Sequence, residues 1–212
     1  DDATLPDRLR LLPRLIDVCQ AMAYAHNRGV VHRDLKPANV MLGEFGETLV
    51  LDWGLAKIRK ADAKESVANA TSSVRDADAM GTMDGQVMGT PAYMPPEQAR
   101  GDIQAIDARS DVYALGAILY ELLTGRPPYI GQSGYDVMLQ VLERDIVPPR
   151  QREPNAPREL AAVAMRALAR DPSDRYDDAR AMVADLEAFE AGGLVAAHRY
   201  NFRDLALRWA RR

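Results

Sequence analysis

A regular spacing of apolar positions marks the first long element of the chain. Between residues 14 and 28, apolar side chains and one histidine recur every three or four positions: Leu15, Ile16, Val18, Cys19, Met22, Ala23 and His26. This is the period of one face of an α-helix. Pro13 precedes the pattern, at a position where proline starts or kinks a helix, and Gly29 follows it, where a left-handed helix cap is favoured. The pattern predicts an amphipathic helix over residues 14–28.

The rest of the chain predicts mostly helices with a few short strands. Short apolar segments between turn residues predict strands at residues 30–31, 40–42 and 48–51. Helices are predicted at residues 96–100, 110–123, 135–143, 157–169 and 173–190, with a break between the last two at Asp171 and Pro172. Residues 55–94 show little periodicity and predict a long loop. The apolar run at residues 112–123 is shorter than the roughly 20 residues of a membrane-spanning helix, so we expect it to be a buried core helix.

Composition and charge narrow the kinds of protein and of partner that this chain can represent. A chain of 212 residues that is 47% hydrophobic and 27% charged is typical of one compact, soluble domain. Its net charge of −4 provides no basic field for nucleic acid, so we expect no nucleic-acid partner. The single cysteine, Cys19, cannot form an internal disulfide, which favours the cytoplasm. The chain carries no signal-peptide pattern and does not begin with Met, so we expect a piece of a longer protein.

Three motifs follow one another in the first half of the chain. The segment HRDLKPAN occupies residues 32–39, on a loop between predicted strands. Asp52-Trp53-Gly54 comes next, and the segment GTPAYMPPE occupies residues 89–97. Two later segments, DARSDVYALG at residues 107–116 and DPSDRY at residues 171–176, complete the set.

In order and spacing these five segments resemble the protein kinase family, most closely its bacterial, eukaryotic-type members. The resemblance covers about residues 7–190. Lys36, two residues after Asp34, is similar to serine/threonine kinases rather than tyrosine kinases. Two positions depart from the family pattern, since Trp53 replaces Phe in the metal-binding motif and Pro95 replaces Ala before Pro96-Glu97. The resemblance implies a mainly α fold with short β-hairpins at the catalytic and metal-binding loops, namely the C-terminal lobe of the kinase domain at residues 1–195, followed by a basic tail at residues 196–212.

The resemblance also implies how the motif residues act. The transition state of phosphoryl transfer is loose, so the protein mainly positions the reactants and neutralises charge. Asp34 would orient the substrate hydroxyl and accept its proton, and Lys36 would steady the transferred phosphate. Asn39 and Asp52 would bind Mg²⁺, or Mn²⁺ in its place, together with the phosphates of ATP. For Asn39 and Asp52 the alternative is a pair that merely caps the loop.

Other matched residues complete the implied nucleotide site and its support. Met41 would form the apolar floor under the adenine, and Thr90 would hydrogen-bond Asp34 and Lys36, unless it is an ordinary turn threonine. A supporting role is implied for His32, Trp53, Gly54 and Asp111, the last of which would hold the catalytic-loop backbone. Glu97 and Arg175 resemble the buried ion pair of the family.

The resemblance predicts a regulatory switch in the long loop. Arg33, which has no acidic partner nearby in the sequence, would receive a phosphate there, most directly from phosphorylated Thr82. Thr71, Ser72 and Ser73 are weaker candidates, and Asp84 could supply a constant charge instead.

The family's nucleotide-binding N-terminal lobe has no counterpart in this sequence. The chain contains no G-x-G-x-x-G segment, and its four lysines are Lys36, Lys57, Lys60 and Lys64, all in or after the catalytic loop. We therefore expect weak ATP binding by the chain alone, and a partner in its own missing N-terminal lobe. The main hypothesis is a kinase acting on protein substrates. A non-catalytic pseudokinase scaffold is the alternative, and a small-molecule phosphotransferase fits less well because such enzymes typically lack Lys36 and the segment at residues 89–97.

The end of the chain differs from the rest in charge. Residues 198–212 contain five arginines and one acidic residue, Asp204. Arg-rich segments beside a spanning helix tend to stay in the cytoplasm, so this tail suggests a membrane anchor beyond residue 212. A solvated helix face is the alternative.

Overall fold

The computed structural model describes residues 3–58 and 91–200. Within these ranges the chain is mainly helical, with two small two-stranded sheets, as expected. The helices are α1 (Leu5–Leu9), α2 (Leu12–Asn27), α3 (Pro96–Ala99), α4 (Ala108–Thr124), α5 (Gly134–Glu143), α6 (Pro149–Arg152), α7 (Arg158–Ala167) and α8 (Ala179–Glu190). The strands are β1 (Val30–Val31), β2 (Val40–Leu42), β3 (Thr48–Val50) and β4 (Lys57–Ile58).

Helix α4 forms the centre of the fold. Its Asp107 side chain accepts a hydrogen bond from the backbone N–H of Arg109 at 2.8 Å, and Gly125 ends the helix with a φ of 75°. Most of its side chains are buried, which explains the apolar run in the sequence. Helix α7 packs closely against α4 at Gly116. The space there is too small for a side chain, since a Cβ added to Gly116 would lie only 2.6 Å from the Cβ of Ala167. The expectation of a buried core helix is thus met.

Helices α2 and α8 pack against each other and against α4. The side chains that predicted α2 are those that face the core, including Leu15, Met22 and the fully buried Cys19. Pro13 lies in the first turn of α2, and Gly29 follows its end with a φ of 71°. The helix predicted over residues 14–28 is therefore confirmed, with bounds that differ by one or two residues.

The strands form two separate antiparallel pairs. Strands β2 and β3 form a hairpin in which Val40 pairs with Val50 and Met41 with Leu49. Strand β1 pairs with β4, which lies inside the stretch predicted to be a loop. That expectation was wrong at residues 57–58, because a two-residue strand has no periodicity to detect and is held only by its distant partner.

Helix α8 begins later than the sequence predicted. Residues 172–174 form a 3₁₀ turn, and α8 starts only at residue 179, after Asp178 has capped it by accepting a hydrogen bond from the N–H of Ala181 at 3.0 Å. Proline at residue 172 starts the short turn, but the chain bends again before the true helix cap. Helices α1 and α6, each of a single turn, were not predicted.

The segment after α8 packs back onto the core. Asp185 is buried, and its carboxylate accepts hydrogen bonds from the backbone N–H groups of Ala196 (2.6 Å) and Ala197 (3.0 Å) and from the hydroxyl of Tyr176 (2.7 Å). Val195 lies in the main hydrophobic core. None of the helices within the described ranges has the length and apolar character needed to cross a membrane.

Candidate active site

The catalytic-loop motif lies between β1 and β2 and gathers its polar side chains around Asp34. Oδ2 of Asp34 accepts hydrogen bonds from Nζ of Lys36 at 2.7 Å and from Nδ2 of Asn39 at 3.2 Å. The 3₁₀ turn over residues 37–39 brings Asn39 back toward Asp34, so that Nδ2 also donates to the Asp34 carbonyl at 2.7 Å. The Asp34 side chain remains 31% exposed. Its carboxylate is thus fixed in position and still open to a substrate.

The backbone of this loop is strained, and a side chain of α4 holds it in place. Arg33 has a φ of 74°, in the left-handed region that non-glycine residues rarely adopt. Asp111, which is 1% exposed, accepts hydrogen bonds from the backbone N–H groups of His32 and Arg33, both at 2.8 Å. Two charge-assisted bonds therefore stabilise a conformation that the chain would otherwise avoid.

His26 is a supporting residue whose role the sequence did not reveal. Its Nε2 lies 2.9 Å from Oδ2 of Asp111, and its Nδ1 accepts a hydrogen bond from the backbone N–H of Ala179 at 3.3 Å. Because Nδ1 accepts, Nε2 carries the ring hydrogen and donates a hydrogen bond to Oδ2 of Asp111. In the sequence, His26 only continued the apolar face of α2. A histidine in that face, which needs a polar partner when buried, was the available signal.

His32 joins the catalytic loop to the metal-binding motif. It is fully buried, its Nδ1 accepts a hydrogen bond from the N–H of Asp34 at 3.3 Å, and its Nε2 lies 2.9 Å from the carbonyl of Leu51. Its ring centroid lies 4.8 Å from that of Trp53. Nε1 of Trp53 in turn donates to the carbonyl of Val50 at 3.0 Å. Tryptophan in place of phenylalanine thus packs on His32 and gains a hydrogen bond.

The metal-binding motif also contains a left-handed residue. Asp52 has a φ of 59° and exposes its side chain beside Gly54, where an added Cβ would lie 3.2 Å from Oδ1 of Asp52. A side chain at Gly54 would therefore crowd the carboxylate. The N–H of Leu51 donates to the carbonyl of Asn39 at 2.8 Å and ties this motif to the catalytic loop.

The donor atoms at this site fit Mg²⁺. The amide nitrogen of Asn39 is committed to Asp34, which leaves its Oδ1 as the atom that could coordinate a cation. The exposed carboxylate of Asp52 offers a second hard oxygen that could do the same. In the part of the chain that the structure describes, no group of three or more His, Cys, Asp or Glu side chains could hold a metal ion. A small set of protein oxygens suits Mg²⁺, which keeps waters and binds substrate phosphates.

The remaining predicted site residues, apart from one buried ion pair, lie either on β2 or outside the described residues. Met41 lies on β2, exposed next to its exposed partner Leu49 on β3. Thr90 and Thr82 lie outside the described residues, as do the weaker phosphorylation candidates Thr71, Ser72 and Ser73. Asp84 also lies there.

Glu97 and Arg175 form a buried, bidentate ion pair. The guanidinium donates from Nη1 to Oε1 at 2.7 Å and from Nη2 to Oε2 at 2.9 Å, and the hydroxyl of Ser110 adds a bond to Oε1 at 2.8 Å. Burial alone would raise the pKa of Glu97, but the hydrogen bonds and the charge of Arg175 outweigh it and lower the pKa below its usual value. The pair fastens α3 to the turn before α8.

Comparisons with known proteins agree with the motifs. A family model described as the protein kinase domain matches residues 14–185. The serine/threonine-protein kinase PknB of Mycobacterium leprae is 43% identical over 176 residues, which cover 83% of this chain and 25% of that protein. The same-named kinase of Mycolicibacterium smegmatis is 42% identical over 177 residues, covering 84% and 26%. A probable serine/threonine-protein kinase of Streptomyces coelicolor is 39% identical over 193 residues, covering 91% and 26%. The chain thus spans about a quarter of the length of these relatives.

Proposed function

The chain belongs to the protein kinase family, among the bacterial eukaryotic-type serine/threonine kinases, and we propose that it carries the catalytic half of an enzyme that transfers the γ-phosphoryl group of ATP to serine or threonine hydroxyls of proteins. The observation that carries this proposal is the Asp34 carboxylate, fixed by Lys36 and Asn39 and still accessible. A base held in one position is what in-line transfer to a hydroxyl requires.

Each side chain of the site has a role in this reaction. Asp34 orients the substrate hydroxyl and accepts its proton while the new oxygen–phosphorus bond forms and the bond to the leaving ADP oxygen breaks. Such general-base catalysis typically contributes about 10²- to 10⁴-fold in rate. Lys36 places a positive charge beside the transferred group. Asn39 and Asp52 would hold Mg²⁺ or Mn²⁺, which when bound neutralises charge on the phosphate oxygens.

We further propose that activity requires an ATP-binding lobe that covers the β2–β3 hairpin. Exposed apolar side chains gather on this hairpin and on the motif that follows it, among them Met41, Leu49 and Trp53. Exposed apolar patches of this kind often mark contact surfaces. Met41 is then the residue under the adenine, and residues 1–195 are the second lobe of one catalytic domain. The chain alone is expected to be inactive.

A non-catalytic scaffold is the second candidate, because Trp53 and Pro95 depart from the family motifs. Neither departure removes a reactive group. Trp53 packs on His32, and Pro95 adopts an extended conformation at the start of α3, which suits proline. The side chains of Asp34, Asn39 and Asp52 are all present. These observations favour the enzyme.

From the sequence we also propose a phosphorylation switch and a location beside a membrane. Phosphorylation of Thr82 would place a dianion near Arg33 and switch activity, with Thr90 hydrogen-bonding Asp34 and Lys36. The basic tail at residues 196–212 would lead toward a membrane anchor, with the catalytic domain in the cytoplasm.

The test uses the chain joined to its ATP-binding lobe, with Mg²⁺-ATP and a generic basic protein. Asp34→Asn and Asp52→Asn should each abolish labelling of serine and threonine. Asp177→Asn is the matched control, because that aspartate is 83% exposed and lies far in sequence from Asp34 and Asp52. Undiminished labelling in either motif variant would sink the assignment. Binding of Mg²⁺-ATP without any transfer by the parental protein would favour the scaffold.

A further inference from the structure

Gln98, in α3, reaches the catalytic loop from a different direction than Asp111. Its Nε2 donates a hydrogen bond to the backbone carbonyl of Arg33 at 2.9 Å. The neighbouring Glu97 is fixed by Arg175, so α3 is anchored on one side and contacts the catalytic loop on the other. The side-chain bond of Gln98 goes to that loop and not to α3 itself.

The peptide that Gln98 contacts is the strained one. Arg33 has the left-handed φ of 74°, and its N–H is held by Asp111 at 2.8 Å. The bond from Gln98 holds the carbonyl of the same residue. Strained backbone persists only where its surroundings over-determine it. Asp34 follows directly in the chain, so a relaxation at Arg33 would move the carboxylate of the proposed base.

The side chains of Arg33 and Gln98 also line one small cavity. Nε of Arg33 and Oε1 of Gln98 are buried polar atoms, and neither has a hydrogen-bond partner among the described residues. Both residues line a cavity of about 30 Å³, together with Asp34 and Lys36. One water molecule needs about 10–15 Å³ of such volume. Nε is a donor and Oε1 an acceptor, and the cavity has room for a water that could serve as their partner.

We propose that Gln98 is a positioning residue for phosphoryl transfer, an inference that rests on the function proposed above. It holds the Arg33 peptide directly through its amide N–H. The position of Asp34 therefore depends on the seating of α3, the first helix after the long loop. A displacement of α3 would withdraw a donor from the strained peptide and disturb the base without touching it.

The first experiment measures hydrogen exchange of the backbone amides at residues 32–34 in the 212-residue chain, which needs no activity. Gln98→Met keeps the size of the side chain but removes both its donor and its acceptor. Exchange at these amides should accelerate by about tenfold, because the loop opens more often. Gln98→Glu also lacks the donor to the Arg33 carbonyl and should show the same direction of change. The control is Gln20→Met, because the Gln20 amide makes a similar 2.9 Å bond, from α2 to Glu187 on α8.

The second experiment measures kinetics after the chain is joined to its ATP-binding lobe. In Gln98→Met, kcat should fall by about tenfold while KM for ATP and for the protein substrate stays within about twofold, because the substrates bind as before and only the base is misplaced. Gln20→Met should match the parent in both constants.

The outcomes separate this inference from the proposed function. Unchanged exchange at residues 32–34 in Gln98→Met overturns the link between α3 and the loop, whatever the activity. Faster exchange with unchanged kcat overturns the positioning role. An absence of transfer by the parental protein defeats the proposed function itself, and the positioning role with it, while the exchange data still report whether Gln98 holds the loop.

Discussion

The buried pair of Glu97 and Arg175 allows a sharp prediction about stability. Both side chains are almost fully enclosed, at 4% and 2% exposure. The Arg175 guanidinium also donates to the backbone carbonyls of Ala169 at 2.7 Å and Arg109 at 3.1 Å. Glu97→Gln keeps the shape of the side chain but removes its charge. It leaves a guanidinium that is buried, held in place by other bonds, and without its counter-charge.

The expected loss follows from what remains in the protein. Removing one partner of a buried ion pair costs about 3–5 kcal/mol, mostly because the other charge stays buried without compensation. For a domain of this size each kcal/mol lowers Tm by about 2–4 °C, so we expect Tm to fall by about 6–20 °C. A small domain has only about 5–15 kcal/mol of stability in total, so the effect should be plain in urea unfolding.

The pH dependence of this stability loss gives an independent check that the charge of Glu97 is its cause. Hydrogen bonds and charge from Arg175 keep the pKa of Glu97 below its ordinary value of 4.5, despite the opposing effect of burial. A lowered pKa in the folded state contributes stability that is fully present above the unfolded pKa and is lost as the pH falls through the folded pKa. The stability difference between the parent and Glu97→Gln should therefore be largest near neutral pH and should shrink as the pH falls below about 4.5.

The assay is urea unfolding of the 212-residue chain at several pH values between neutrality and the acid limit of folding. Asp177→Asn is the control, since it breaks an ion pair with Arg109 at 2.6 Å in which the carboxylate is 83% exposed. Exposed pairs contribute about 0–1 kcal/mol. A loss below about 1 kcal/mol for Glu97→Gln, or a loss that does not change on acidification, would refute the reasoning.

Three further predictions concern other buried contacts. His26→Phe should cost about 1–3 kcal/mol in urea unfolding, because Asp111 loses a donor inside the core, and an unchanged midpoint would contradict the assigned bond. Asp185→Ala should accelerate limited proteolysis just after α8, because the carboxylate that holds two backbone amides there is gone, whereas an unchanged cleavage rate would show that packing alone suffices. Gly116→Val should destabilise by about 1–3 kcal/mol through its clash with Ala167, and adding Ala167→Gly should recover part of the loss.

The sequence predicted those elements whose patterns are local. Helix α2 was found because its buried side chains recur at the helical period between a proline and a glycine, and α4 because most of its side chains are buried and form an apolar run in the sequence. Strand β4 was missed because two residues carry no period. The start of α8 was misplaced because proline at residue 172 starts a short turn, whereas the cap at Asp178 decides the helix.

The candidate site was predictable only for residues within its motifs. Asp34, Lys36 and Asn39 lie within six residues of chain, so their spacing alone brings them together around one carboxylate. His26 and Gln98 could not be placed this way, because their bonds to Asp111 and Arg33 join positions 85 and 65 residues apart. Hydrogen bonds between distant segments produce no characteristic spacing of residues in the sequence. Each of these side chains is also compatible with an ordinary position on its own helix.

Two residues of the site have a left-handed backbone conformation that bonds from the rest of the protein hold in place. Arg33 and Asp52 are the non-glycine residues with positive φ in the described part of the chain, and each belongs to a motif that carries a proposed catalytic or metal-binding acid. Each such conformation costs about 1–3 kcal/mol and would relax if it were held only by loop contacts. Asp111 holds the first from α4, and the bond from Leu51 to the Asn39 carbonyl secures the backbone beside the second. Because these bonds arise from the helical core and the adjoining loops, we expect this part of the chain to set the backbone geometry of the two acids.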